Sequence, residues 1–427
     1  MKIRFINARI LTMKDGDEIF EGELWTDGNR ISYVGPKKES SDNFDRVIDL
    51  NGNVIMPGFK NAHTHSSMTF LRSYADDLTL HDWLYNAVFP MEEKIDGDDM
   101  YHLAKVAIAE YLTSGITANF DMYFFPERVG EASIDCGFRT VLLGSVNNFK
   151  ESVQKLEKYY HLLNNKSELL TYRIGFHAEY TTDREILVEL SKLANSLKTP
   201  IYTHSSETEN EVKGCIERHG VTPTVLFDQL GLYNYGGGAF HCVYMSDEDL
   251  EIFKKRGLYA VTCPGSNVKL ASGIAPLCKM QECGINIAMG TDGPASNNCL
   301  DMFREMHLTT ALQKIATGDA AAMDAYSVLK MATVNGAHAM GLFDADVLDV
   351  GKLADLCVIN LHRPNMQPIN NIAKNIVYSG SKENVYLTMV NGKILYENGE
   401  FFIGEDIEKI YQKANEITSR VKNEINK

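Results

Sequence analysis

The chain has 427 residues, too many for one ordinary domain and suited to a large domain with a smaller companion. Hydrophobic residues make up 44% of it, enough to bury a sizeable core and unlike a disordered composition. With 57 acidic against 42 basic residues the net charge is −15, which argues against a nucleic-acid partner, because phosphate neutralisation needs a basic footprint. That acidity reads as a well-solvated surface and leaves a small neutral or mildly charged substrate open.

The amino terminus, MKIRFINARILTM, alternates apolar and polar side chains like a strand and lacks the continuous apolar core of a signal peptide. No stretch approaches the ~18 uninterrupted apolar residues of a membrane span, so no membrane partner is expected and the compartment reads as cytoplasm. Further along, DGDEIFEGELWTDGNRISYVG adds short strands punctuated by Asp-Gly and Gly-Asn turns. The far end repeats this style in GKLADLCVINL and NIVYSGSKENVYLTMVNGKILYENG, with Asn391-Gly392 as a hairpin signal. A helix over EDIEKIYQKANEITSRVKNEI closes the chain.

These two arms, residues 1–56 and 346–427, are expected to pack together as a small discontinuous β-sandwich domain, because strands near a terminus need a partner sheet to cover them. Between them, over 57–345, apolar strand-like runs alternate with helical stretches: GNVIMPGF, ITANFDMY, FRTVLLGSV, YRIGFHAEY, PIYTHSSE, GAFHCVYM, LYAVTCPG and INIAMGTDG. Helices are expected over REILVELSKLANSLK and DEDLEIFKKRG, among others. Eight such units predict an α/β fold of the (β/α)8 TIM-type barrel kind. A doubly wound open sheet fits less well, since no glycine-rich phosphate turn follows the first strand. The GGG at 236–238 reads as a loop before a strand. None of the eight cysteines forms a CxxC pair, so buried reduced thiols are expected rather than a zinc-cysteine or redox site.

The histidines carry the chemistry. His63 and His65 stand in PGFKNAHTHSS at the end of the first barrel strand, and alternate residues on a strand point the same way, so both imidazoles can face one ion. Alone, an HxH pair is weak. Its weight grows because His177 in FHAEY, His204 in YTHSSE, His241 in AFHCV and Asp292 in MGTDG recur at later strand ends. The carboxyl ends of barrel strands converge on one face, where sites are built. Three histidines and one aspartate drawn from this set, with no thiolate, suit one divalent transition ion, zinc first and iron second. Such an ion lowers the pKa of bound water from 15.7 to roughly 7. Glu207, three residues after His204 at the start of ETENEVKGCIERHG, is placed for general acid–base work; the plainer reading is a helix-start carboxylate favoured by the macrodipole.

PGFKNAHTHSSMTFLRSYADDLTLHDWL, HSSETENEV, CPGSNVKLASGIAPL and GTDGPASNNCLDMFREM resemble the amidohydrolase superfamily. Within it they are most similar to the methylthioadenosine/S-adenosylhomocysteine deaminases and their relatives that hydrolyse amino- or chloro-substituted heterocycles, over essentially the whole chain. The resemblance implies that His63, His65, His204 and Asp292 bind a single metal, that Glu207 shuttles protons, and that His241 holds the attacking hydroxide with Asp292. It implies further that Glu92, in VFPMEEK, takes the ribose hydroxyls and that His177 contacts the nucleoside. Plainer readings are a solvated loop acid for Glu92 and a buried, hydrogen-bonded imidazole for His177. A carboxylated lysine bridging two metals is not expected, since His177 stands where it would fall.

One departure concerns the amino-acid tail of S-adenosylhomocysteine. Relatives hold its carboxylate with arginines around the third strand, whereas residues 129–172 here offer only Arg139 and then the lysines of VNNFKESVQKLEKYY. Lysine lacks the bidentate fork, so the expectation leans to adenosine, methylthioadenosine or 5′-deoxyadenosine, with Arg139 as the candidate tail contact. The expected reaction is attack of hydroxide on C6 of adenine with Glu207 protonating N1, releasing ammonia. Rivals are the same chemistry on guanine, a pterin, cytosine or a triazine, a non-catalytic metal-binding scaffold, and an amide-ring hydrolase. No sequence feature fixes an oligomeric state, and a homo-oligomer stays open.

Overall fold

The computed structural model describes residues 1–78 and 82–425. Residues 79–81, within the histidine-bearing motif over 57–84, and 426–427, at the end of the expected C-terminal arm, lie outside the described residues.

Five strands open the chain: β1 Lys2–Ile10, β2 Phe20–Asp27, β3 Arg30–Gly35, β4 Arg46–Asp49 and β5 Val54–Pro57. In β1 the alternation buries Ile3, Phe5, Ala8 and Ile10. The inward set shifts by one residue because the register with β2 breaks between Phe5 and Ala8, where Asn7 adopts a φ of 54°. Eight strands occupy the middle: β6 Phe59–Thr64, β7 Ile116–Met122, β8 Arg139–Leu143, β9 Leu170–Arg173, β10 Ile201–Ser205, β11 Gly237–His241, β12 Tyr259–Thr262 and β13 Asn286–Met289. Four close the chain: β14 Leu356–Ile359, β15 Val385–Val390, β16 Lys393–Glu397 and β17 Glu400–Phe401.

The two ends of the chain share one nine-stranded sheet, in the order β17-β16-β15-β14-β5-β1-β2-β3 with β4 on β1. Their seam is the antiparallel pair β14–β5, in which Leu356 faces Pro57 and Ile359 faces Val54. The hairpin joining β15 to β16 turns on Asn391 and Gly392, both at positive φ (50° and 74°), as its Asn-Gly sequence requires.

The middle strands form two four-stranded parallel sheets, β6-β7-β8-β9 and β10-β11-β12-β13, so the fold is α/β with parallel sheets. Side chains from both sheets, including Ala62, Phe120, Val141, Tyr202, Phe240, Val261 and Ala288, meet in one buried cluster. The sheets approach each other through a parallel bridge between Gly175 and Tyr202 and through the Asp292 N–H bond to the His63 carbonyl (3.0 Å). Helices follow the strands with the expected patterning. Arg184–Leu197 buries Leu187, Leu190, Leu193 and Ala194 along one face. Asp247–Arg256 starts in a Ser246–Asp249 capping box, ends in three cations and stops at Gly257. The last helix, Ile407–Ile425, buries Ile410, Ile417 and Val421, and its Arg420 pairs with Asp99 of the helix Gly97–Thr113.

Two local expectations change. GNVIMPGF is not the first strand of the parallel sheets: it divides at Gly58, so that Val54–Pro57 joins the nine-stranded sheet and Phe59–Thr64 pairs with β7. A Cβ at Gly58 would lie 2.1 Å from the Thr117 side chain, so the crossing has room for glycine alone. The GGG run is also more than a loop, since Gly237 and Gly238 are strand residues paired with Ile201 and Tyr202. A Cβ at Gly237 would sit 1.9 Å from the Ile201 carbonyl oxygen. All eight cysteines are free, five of them buried. No described helix is long and apolar enough to cross a membrane.

Candidate active site

Five residues from the carboxyl ends of four parallel strands converge. His63 lies in β6 and His65 just beyond it, His204 in β10, His241 at the end of β11, and Asp292 shortly after β13. Side-chain ligand atoms of His63, His65 and Asp292 lie within 4.8 Å of one another, as do those of His63, His204 and His241. Asp292 Oδ1 is 3.2 Å from His65 Nε2 and 3.6 Å from His63 Nε2.

Each group is oriented from behind. His65 Nδ1 donates to the Met122 carbonyl, His204 Nδ1 to the His177 carbonyl at 2.7 Å, and His241 Nδ1 to Asn267 Oδ1 at 2.8 Å. Those backward bonds through Nδ1 turn Nε2 of all three rings toward the centre, the arrangement of a metal-ligating imidazole. Asp292 Oδ2 accepts from Ser266 Oγ (2.6 Å) and Ser296 Oγ (2.7 Å), and Oδ1 accepts from the Gly293 N–H (2.7 Å). His241 and Asp292 both hold positive φ, 71° and 59°, strained values for such side chains.

His63 differs from the others. It is fully buried, and neither ring nitrogen has a hydrogen-bond partner among the described residues. A buried polar atom left so costs about 1–3 kcal/mol, a deficit that a cation at Nε2 would remove. The donor set, several neutral imidazoles and a carboxylate with no thiolate, matches a divalent transition ion. Burial, then the neighbouring His65, holds the His63 imidazole well below its ordinary range, and burial with His63 does the same to His204. Burial alone would raise the Asp292 carboxyl, but the His65 hydrogen bond and the adjoining imidazoles outweigh it and hold it well below. His63 and His204 are thus neutral and Asp292 ionised, the forms in which such side chains ligate, whereas the Asp292 hydrogen bond and charge outweigh burial at His65 and raise its imidazole.

A cavity of about 360 Å³ opens over this cluster. Glu207, His177 and Glu92 line it, along with apolar side chains such as Trp83, Val88 and Phe124. Glu207 precedes Thr208, the cap of the helix Glu209–His219, so it is not a first-turn acid. Its Oε2 is 3.8 Å from His241 Nε2, and its Oε1 accepts from Ser272 Oγ at 3.2 Å. Glu92 is buried in the short helix Phe89–Glu92 rather than solvated, and it accepts the Tyr123 hydroxyl at 2.5 Å. Burial pushes its carboxyl up despite that bond. His177, half-buried, hydrogen-bonds Thr181 Oγ1 at 2.9 Å, and burial with the nearby His65 takes its imidazole down to about 4.

Arg139 is elsewhere. It starts β8, at the opposite end of the strand from the cavity, and its guanidinium grips Asp355 through two bonds of 2.6 and 3.2 Å. A contact from Arg139 to a substrate tail does not fit that position: an arginine at the amino end of a parallel strand points toward the face away from the site. Four residues that sequence reasoning did not single out hold the site together: Ser266, Asn267, Ser296 and Glu211. Glu211 accepts the backbone N–H groups of Ser206 and Glu207, both at 2.8 Å, and burial with the charge of Glu207 takes its carboxyl up to about 7. The serines and Asn267 share a signal, small polar residues shortly after apolar strands. Glu211 has none that separates it from its acidic neighbours in ETENE.

Residues 54–395 match the amidohydrolase family model. A protein of Thermoanaerobacter pseudethanolicus named 5-methylthioadenosine/S-adenosylhomocysteine deaminase is 38% identical over 420 residues, 96% of this chain and 97% of its own. A protein of Pyrococcus furiosus with the same name is 40% identical over 407 residues, covering 93% and 96% of the two chains. Among solved structures, an adenosine deaminase from Xanthomonas campestris with bound zinc superposes with a TM-score of 0.93 at 29% identity, over 99% of this chain and 98% of that one. The chain belongs to the amidohydrolase family.

Proposed function

We propose that this amidohydrolase-family chain is a hydrolytic deaminase of adenine nucleosides, working at one divalent ion, zinc, held by His63, His65, His204 and Asp292. The observation that carries the reading is His63, buried with two unpartnered nitrogens at the point where three further Nε2 atoms and a carboxylate converge. Substrate class draws support from the deaminase names of the relatives, and zinc from the ion bound in the adenosine deaminase structure. In the same reading the two parallel sheets are halves of one (β/α)8 barrel over residues 57–345, and residues 1–56 and 346–427 make up the companion β-sandwich domain.

A divalent ion bound there acidifies water, moving its pKa from 15.7 toward roughly 7. Asp292 and His241 would orient that water toward C6 of the adenine. Glu207 carries a proton to ring N1, which makes C6 electrophilic, and the water oxygen bonds to C6. A second proton reaches the exocyclic amine through Glu207, the C6–N bond breaks, and ammonia leaves an inosine-type product. Glu92, with one oxygen bonded to Tyr123, keeps its other oxygen for the ribose hydroxyls, and His177 contacts the nucleoside from the β9 side. The apolar wall excludes competing water and strengthens each polar contact.

The 5′ substituent favoured is small and uncharged. Arg139 cannot meet a homocysteine carboxylate from the far end of β8. Lys150 is the one Lys or Arg among the described lining residues, and its Nζ lies 4.0 Å above the Phe124 ring. The test is incubation of zinc-loaded protein with adenosine, methylthioadenosine, 5′-deoxyadenosine and S-adenosylhomocysteine, following ammonia and the ultraviolet change from adenine to hypoxanthine. Turnover of the three neutral nucleosides with poor use of the fourth is expected. Silence on all four, with activity on guanine, a pterin or a triazine, would overturn the substrate assignment.

A further inference from the structure

Behind the converging ligands, Glu305 joins the short helix Pro264–Lys269 to the turn after β13, two segments that the proposed reaction does not otherwise connect. It projects from the helix Met302–Thr317 and is fully buried. Its Oε2 accepts the Gly265 N–H at 2.8 Å, and its Oε1 accepts Asn297 Nδ2 at 2.7 Å. Asn297 Nδ2 also donates to the Thr291 carbonyl at 2.7 Å, one residue before Asp292. Asn297 Oδ1 has no partner among the described residues, so that amide is held there by its donor bonds to Glu305 and Thr291. In the short helix, the residues after Gly265 are Ser266, which bonds Asp292, and Asn267, which bonds His241. A Cβ at Gly265 would lie 2.5 Å from Glu305 Oε1, so the carboxyl is packed against the backbone with no slack.

We propose that Glu305 is a positioning residue that sets the spacing between Asp292 and His241 by clamping the short helix after β12 to the turn after β13. The clamp acts through Ser266 and Asn267 on one side and through Asn297 and Thr291 on the other. Glu305 itself touches neither the ligands nor the substrate. Burial pushes its carboxyl up to about 8, so near neutrality it works as an uncharged acid and adds no second negative charge behind Asp292. Partners in this outer layer typically change metal affinity by roughly 10–100-fold when removed.

The inference rests on the metal-site reading above, and cobalt alone separates the two. The full chain loaded with cobalt(II) is compared with Glu305→Leu, Glu305→Gln, Asn297→Ala and Leu190→Ala. The readouts are the visible ligand-field bands and the rate of cobalt loss to a chelator. Glu305→Leu loses both acceptors and is expected to shift the bands and speed loss about tenfold or more. Glu305→Gln keeps one acceptor and falls between it and the parent. Asn297→Ala breaks the other half of the clamp and follows Glu305→Leu, which keeps the test alive if the leucine variant does not fold. Leu190→Ala, a cavity in a distant buried helix face, loses stability but keeps the parent bands and rate. Parent-like bands and rates in both Glu305→Leu and Asn297→Ala would overturn the proposal, as would equal shifts in Leu190→Ala. A parent chain that binds no cobalt sinks the metal site itself, a failure visible before any variant is made.

Discussion

His63 lies flat against Phe240, with ring centroids 3.7 Å apart and planes 17° from parallel. The phenyl face covers the imidazole without offering either nitrogen a hydrogen bond, so His63 is held in place by packing and left chemically unsatisfied. Such a residue lowers the stability of the metal-free protein and raises that of the loaded one.

That pairing predicts opposite responses to one substitution. His63→Leu replaces a buried unsatisfied ring with an apolar side chain, so the metal-free variant should match or exceed the metal-free parent in stability, by up to about 2 kcal/mol. With zinc present the order should reverse, because the parent gains binding free energy that the variant cannot. Denaturant unfolding with and without chelator reads both limbs. A parent stability indifferent to zinc would contradict the assignment.

In the proposed reaction Glu207 has a chemical task and little structural one, since among the described residues its side chain accepts only from Ser272, at 3.2 Å. Glu207→Gln should therefore leave zinc content and melting temperature near those of the parent and lower kcat by roughly 10²–10⁴-fold. Near-normal turnover with full metal content would remove Glu207 from the proton path.

Arg139 and Asp355 form a buried bidentate pair far from the cavity, with side-chain exposures of 4% and 0%. Arg139→Ala strands the Asp355 carboxylate and is expected to cost about 3–5 kcal/mol of stability. The ratio of kcat/KM for S-adenosylhomocysteine to that for methylthioadenosine should not change. A selective loss on the charged substrate would restore Arg139 as a tail contact.

The contrast between Arg139 and the histidines shows what was legible in the sequence. His63, His65, His204, His241 and Asp292 were readable because period-two strands ending at one face dictate where such side chains go, and the structure brings all five together. Arg139 has the right residue type near the right strand, but it stands at that strand's first position, the end that the rule placing the histidines turns away from the cavity. The GNVIMPGF run was misplaced for a related reason. Two strands separated by one glycine read as a single apolar run, and only Gly58 meeting Thr117 shows where the chain changes sheets. Glu305 and Glu211 were illegible because a buried acid and a solvated one look alike in a polar helix.

A last expectation concerns acid stability away from the cavity. Asp346 is buried, and three donors converge on it: His338 Nε2 at 2.9 Å, Lys352 Nζ at 2.9 Å and the Val347 N–H at 2.9 Å. Burial alone would raise its carboxyl, but the His338 and Lys352 bonds outweigh it and take the value from 3.8 down to about 2. Because the folded value lies below the unfolded one, the stabilisation is complete above 3.8 and is lost as pH falls through about 2. At about 1.36 kcal/mol per unit the whole effect is about 2 kcal/mol. Asp346→Asn should lose that much at pH 6 in urea unfolding, and the gap to the parent should be roughly halved at pH 3. A gap that stays constant between the two pH values would mean that Asp346 contributes through packing and not through its charge.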